Sequence, residues 1–243
     1  MPRKPRLYLA KHPYLISLCG NNAQSIFFTQ QDYQQFARYL NHGLDKYRLQ
    51  LHAYALLNNR ILLLLTPLSS ESIAKLMQYI NGSYVRYVNR RHNRTGGLFQ
   101  GRHKASLVEH DSYLMWAMYY LDGIGQQSTQ HDNAIDAYTS YAEHTGDHQR
   151  KAPFNLQLIA PTSYLKLADC DEQRQDRYRQ QLFLEENQFY RQFIEAKLHQ
   201  NFPIASQRYI NTLSFEAQLL FTQNKPGRPR KNKHGLYQWL MNV

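Results

Sequence analysis

Between Ser83 and Lys104 the chain carries Arg86, Arg90, Arg91, Arg94, Arg102 and Lys104 with no acidic residue among them. Guanidinium groups hold phosphate oxygens through paired N–H donors. The interleaved Tyr87, His92 and Phe99 offer flat faces on which unpaired bases can stack. The competing reading of this run is a solvated basic face with Tyr84 and Tyr87 turned into the core. Two further basic clusters lie near the ends of the sequence. One is Arg3, Lys4 and Arg6. The other, Lys225 to Lys231, contains Gly227-Arg228-Pro229-Arg230, the Gly-Arg-Pro core of an AT-hook, whose arginines enter a narrow A·T minor groove. As extended, like-charged segments, both read as mobile arms with no apolar surface to bury.

Bulk properties point to the same kind of partner. A formal charge of +11 and a pI near 9.6 favour a polyanion, because neutralising phosphates releases condensed counterions. With 42% hydrophobic residues in 243, the chain can build a packed core. No apolar run of about 18 residues occurs, so no membrane-spanning helix is expected. The basic N-terminus lacks the apolar stretch of a signal peptide, which predicts a cytoplasmic protein. Cys19 and Cys170 are far apart, suggesting neither a disulfide framework nor a cysteine zinc site.

The elements that must position the basic run follow from periodicity. Tyr14 to Cys19 reads as a strand closed by the turn Gly20-Asn21-Asn22. Thr29 caps a helix with an apolar face of Tyr33, Phe36, Ala37, Leu40 and Leu44. Leu51 to Pro67 reads as a β-hairpin turning at Asn58-Asn59. Its first arm alternates, with Leu51, Ala53, Ala55 and Leu57 opposite His52, Tyr54 and Leu56; its second, Ile61 to Leu65, is apolar on both faces and therefore central. Ser69 or Ser70 is expected to cap a long helix through Ile73, Leu76, Ile80, Tyr84 and Val88, whose end delivers Arg86, Arg90 and Arg91. A short strand is expected at Ala105 to Glu109, then a helix from Ser112 to about Asp122 capped by Asp111.

The predicted fold is α+β, an antiparallel sheet backed by helices and followed by a helical C-terminal region. Residues 1–125 are expected to form the first domain. Residues 126–224 would form the helical region, with helices around Asp171 to His199 and Pro203 to Phe221, and residues 225–243 a basic tail.

Three stretches carry a resemblance. The frame His52-Ala53-Tyr54, Asn59 and Leu63-Leu64-Leu65-Thr66-Pro67, the run Tyr84 to Lys104, and Tyr113-Leu114 with Tyr120-Leu121 resemble the REP-associated tyrosine transposases of the HUH superfamily. That resemblance implies an HUH/ferredoxin-like core acting on single-stranded or hairpin DNA. In the family, two strand histidines hold Mg²⁺ or Mn²⁺ against the scissile phosphate. A helix tyrosine attacks to leave a 5′-phosphotyrosine and a free 3′-hydroxyl. The tyrosine maps onto Tyr120. The histidines map onto positions 60 and 62, where this chain has Arg60 and Leu62, and neither side chain ligates a cation. Leu15, Cys19 and Gly123-Ile124-Gly125 also depart from the family pattern. No metal or other cofactor is therefore expected, and Arg60 becomes a candidate direct contact to a DNA phosphate. Two functions stand side by side: a catalytically silent DNA-binding descendant, or a DNA strand transferase acting through Tyr120. The bland reading of Tyr120 is packing, since Trp116 lies one helical turn away.

Overall fold

The structure is a computed structural model and describes residues 8–128, 137–184 and 186–214. In chain order the elements are β1 (Tyr14–Cys19), α1 (Gln30–Tyr47), β2 (Leu49–Leu57), β3 (Arg60–Pro67), α2 (Ser72–Arg91), β4 (Lys104–Leu107) and α3 (Ser112–Ser128). They continue with β5 (Tyr138–Thr139), α4 (Tyr141–Thr145), α5 (Thr162–Leu165), α6 (Asp171–Leu182), α7 (Glu186–Gln200) and α8 (Gln207–Thr212). The strands form one antiparallel sheet in the order β4-β1-β3-β2-β5, so the α+β expectation holds.

The sheet is covered on both faces. Ile16, Leu18, Tyr54, Leu56, Ile61, Leu63 and Leu65 point to a core closed by α1 and α2. Leu15, Ala53, Ala55, Leu62 and Leu64 point to a second core closed by α3, α6 and α7. Double coverage explains why β3 is apolar at every position from Ile61 to Leu65.

Several details differ from the sequence reading. A β-bulge at His52 shifts the β2–β3 register between Leu51 and Ala53. Leu51 thereby joins Tyr54 and Leu56 on the α1/α2 face, not Ala53 and Ala55. His52 is buried at the bulge, its Nδ1 2.7 Å from the Ile159 carbonyl and its Nε2 2.8 Å from Thr66 Oγ1. The N-cap of α2 is Glu71, not a serine; Ser69 instead accepts from the Ser72 N–H through its carbonyl, closing a turn ahead of the helix. β4 begins at Lys104 and ends at Leu107, because Val108 bridges in parallel to Ile204 beside the C-terminal helices. α3 runs past Asp122 to Ser128, crossing the boundary drawn at residue 125, and β5 beyond it pairs with β2. The helical stretch expected around Asp171 to His199 is made of two helices, α6 and α7. Of the stretch from Pro203, the described helix is α8, and Phe221 lies outside the described residues. No helix of the described residues is long and apolar enough to cross a membrane.

Candidate functional site

Antiparallel pairing sets the first site. Arg60 lies opposite Cys19, Leu62 opposite Ser17 and Leu64 opposite Leu15, and all of these side chains face α3. Positions 60 and 62 therefore sit beneath Tyr120, as period-two alternation requires. Leu62 and Leu15 are fully enclosed hydrocarbon.

Arg60 reaches the rim of this face. Its Nη1 and Nη2 donate to the two carboxylate oxygens of Glu195 at 2.9 and 3.1 Å, and its Nε donates to Ser17 Oγ at 3.2 Å. The Tyr120 hydroxyl donates to the same Glu195 oxygen that Nη1 binds. Glu195 is presented by α7, which packs on α3 through the buried Ile194 and Leu198. Burial alone would raise the Glu195 carboxyl, but the bonds from Arg60 and Tyr120 overcome this and hold it below its ordinary value. Burial pushes the Tyr120 phenol strongly upward, opposed in part by Arg60 and reinforced by Glu195. Arg60 is held above its usual range: burial would lower it, and the Glu195 carboxylate more than compensates.

This donor set does not fit a divalent cation. A paired guanidinium and an alkyl chain occupy the two strand positions, and among the described residues no cluster of three or more His, Cys, Asp or Glu side chains is placed to ligate one.

The basic run occupies a second region. α2 presents Arg86, Arg90 and Arg91 on its exposed side, on the sheet face away from Tyr120. The loop after α2 then wraps over the end of the sheet. Asn21 N donates to the Leu98 carbonyl at 2.9 Å, Gly20 bridges to Phe99, and Gln100 N donates to the Cys19 carbonyl at 2.8 Å. Gly101 sits at φ 67°, a left-handed turn that side chains resist. The loop carries Arg94, whose Nη2 donates to Gln24 Oε1 at 2.7 Å while its guanidinium lies 5.1 Å from the Phe28 ring centre. Arg102 is exposed farther along. Lys104 pairs opposite Ser17 and so emerges on the Tyr120 face. The run thus forms a basic path from the α2 surface, round the sheet end, to the margin of the Tyr120 site. Of the remaining sequence candidates, Arg3, Lys4, Arg6, Arg228 and Arg230 lie outside the described residues.

Asp32 holds the start of this path in place. It is fully buried near the N-terminus of α1, where its Oδ2 accepts from the N–H groups of Phe28 and Thr29 at 2.9 and 2.8 Å. Tyr87 donates to its Oδ1 at 3.1 Å, His92 Nε2 stands 3.0 Å from Oδ2, and Arg91 Nε lies 3.6 Å from Oδ1. Burial would raise Asp32, yet His92 and the two backbone donors bring it below its ordinary value. Thr29 is the N-cap as the sequence predicts, and Asp32 supplies the reciprocal half of the capping box. That Thr-x-x-Asp spacing is the local signal that identifies Asp32. Glu195 has no such signal: nothing in α7 sets it apart from other helix-surface carboxylates.

Residues 10–122 match the family described as Transposase IS200 like. Among solved structures, a REP-associated tyrosine transposase bound to a REP hairpin is similar, with a TM-score of 0.46 and 9% identity over 67% of this chain and 96% of that one. No curated protein matches the chain.

Proposed function

We propose that this protein is a DNA-binding member of the transposase family whose strand-cleaving chemistry is silent. DNA binding is supported by the uninterrupted basic path from Arg86 to Lys104, by the +11 charge, and by the match of residues 10–122 to a transposase family. Silence is supported chiefly by one observation: the Arg60 guanidinium, at a position where the resemblance expects a metal-ligating histidine, is neutralised by a carboxylate that also holds the Tyr120 hydroxyl.

The proton balance argues the same way. For Tyr120 to attack phosphorus its phenol must lose a proton, and Glu195 is the carboxylate within reach. Burial drives the phenol up while Arg60 and Tyr120 itself hold the carboxyl down, so the two affinities are pulled apart and the proton stays on the phenol. Arg60 then serves the fold more than a phosphate, since both of its terminal nitrogens are already engaged. Because the donors at positions 60 and 62 do not suit a cation, no metal-dependent step is assigned.

The test is incubation with single-stranded hairpin DNA and Mg²⁺ or Mn²⁺, read for retained complex on a native gel and for covalent adduct on a denaturing one. The expected result is a salt-sensitive complex without adduct, identical for the unaltered protein and Tyr120→Phe. An adduct that disappears in Tyr120→Phe would return the protein to the active strand transferases.

A further inference from the structure

The outer surface of the α1/α2 pair is concave. Its groove is lined by Tyr39 from α1 and by Ser83, Arg86, Tyr87, Arg90 and Arg91 from α2, on the sheet face opposite Tyr120. We propose that this groove is a binding site for single-stranded nucleic acid, separate from the Tyr120 site. The proposal rests on the DNA-binding reading above and adds which surface holds unpaired nucleotides.

Charge argues for a polyanion. No acidic side chain lines the groove, and among the described residues Arg86 and Arg90 have no ion-pair or hydrogen-bond partner. They lie one helical turn apart, a rise of about 6 Å, so one extended strand can meet both. The cationic margin continues along α1, where Lys46 stands 5.5 Å from the Tyr47 ring and 6.0 Å from that of Tyr79.

Shape and aromatic content argue for unpaired bases. Tyr39 packs edge-on against Tyr79 at 6.2 Å. Tyr87 is stacked on Tyr84 at 6.0 Å with its hydroxyl tied to buried Asp32. Both rings are half-exposed and fixed by neighbours, so little side-chain freedom is lost when a base stacks on them. Ser83 contributes only a small side chain between the two walls. A duplex presents phosphates to such a groove while hiding its base faces, whereas a single strand presents both.

The experiment measures fluorescence anisotropy of a labelled oligothymidylate of about 20 nucleotides and of a blunt hairpin, across a salt series. Arg86→Gln with Arg90→Gln should weaken oligothymidylate binding about tenfold or more and make the log–log salt slope shallower by about 1.4, the loss of two single-strand phosphate contacts. Tyr39→Ala should weaken oligothymidylate about tenfold and leave the blunt hairpin within about twofold. Lys166→Gln, at the exposed position just after α5, should change neither. Photo-crosslinks from iododeoxyuridine should map to Tyr39 or Tyr87. All substituted side chains are at least partly exposed, and circular dichroism checks that each variant is folded. If the unaltered protein binds oligothymidylate and the arginine and tyrosine variants bind it equally well, the groove is refuted while DNA binding stands. If Tyr39→Ala weakens both probes alike, the assignment to single strands is refuted. If the unaltered protein binds neither probe, the DNA-binding reading fails and takes the groove with it.

Discussion

Replacing Glu195 with glutamine removes one negative charge and keeps the side chain's shape. In the native arrangement its two oxygens accept from Arg60 at 2.9 and 3.1 Å and from the Tyr120 hydroxyl. Glutamine offers one acceptor and turns an NH₂ toward a guanidinium that has only donors. The cost is bounded on both sides. Breaking a fully buried pair costs about 3–5 kcal/mol, and an exposed one is worth about 0–1 kcal/mol. With 24% of the Arg60 side chain and 42% of Glu195 accessible, solvent screens much of the field, and about 1–2 kcal/mol is expected. For a chain of this size that lowers the melting temperature by about 2–8 °C.

Acid adds a second readout for this variant. The folded carboxyl lies below its ordinary value of 4.5, so its stabilisation is complete above that value and is lost as pH falls through the folded one. The difference in melting temperature between Glu195→Gln and the unaltered protein should therefore be constant near neutrality and shrink in acid. A double-mutant cycle with Arg60→Met isolates the pairwise part, the double variant costing less than the sum of the singles. Equal melting temperatures at neutral pH, or single effects that simply add, would refute the ion pair as the centre of this site.

Two further perturbations probe the scaffold that carries the basic path. Asp32→Ala strands four donors around a fully buried site and should cost about 3 kcal/mol or more by urea denaturation. It should also weaken DNA binding, because Arg91 and His92 lose their anchor, and the unaltered protein should lose this contribution only as pH falls through the lowered Asp32 value. Gly43→Val places a Cβ 2.5 Å from Leu76 Cδ1 and 3.3 Å from the Tyr79 ring, where α1 meets α2, and the enclosed Leu76 can move aside only by displacing its own neighbours. About 2 kcal/mol or more of destabilisation is expected, read as a lower denaturant midpoint.

What was legible in the sequence divides by range. β1 is legible to the residue, and α1 and the hairpin are legible as elements, because their periodicity, the Thr29 cap and the Asn58-Asn59 turn are local signals. The facing of Arg60 and Leu62 toward Tyr120 follows from strand alternation alone. The bulge at His52 was not legible, since it is fixed by partners that lie 107 residues away at Ile159 and 14 residues away at Thr66. Nor was β5, whose two residues are too few to show a period and are recruited by pairing with β2.

Glu195 marks the boundary of sequence reasoning most clearly. It lies 135 positions from Arg60 and 75 from Tyr120, and its role exists only because α7 packs across α3. The resemblance expects histidines at 60 and 62, and from sequence Arg60 reads as a free arginine left to meet a phosphate. The structure instead gives that arginine a bidentate partner, and the same carboxylate restrains the tyrosine. Without that carboxylate, Arg60 would be a partly buried cation with nothing to balance it. The carboxylate from the C-terminal helices supplies that balance, so the changed strand and the helix that covers it form one electrostatic unit. Arg60→His with Leu62→His would break this unit: the Glu195 carboxylate would lose its guanidinium partner and keep Tyr120, so its ionised form would be held less strongly.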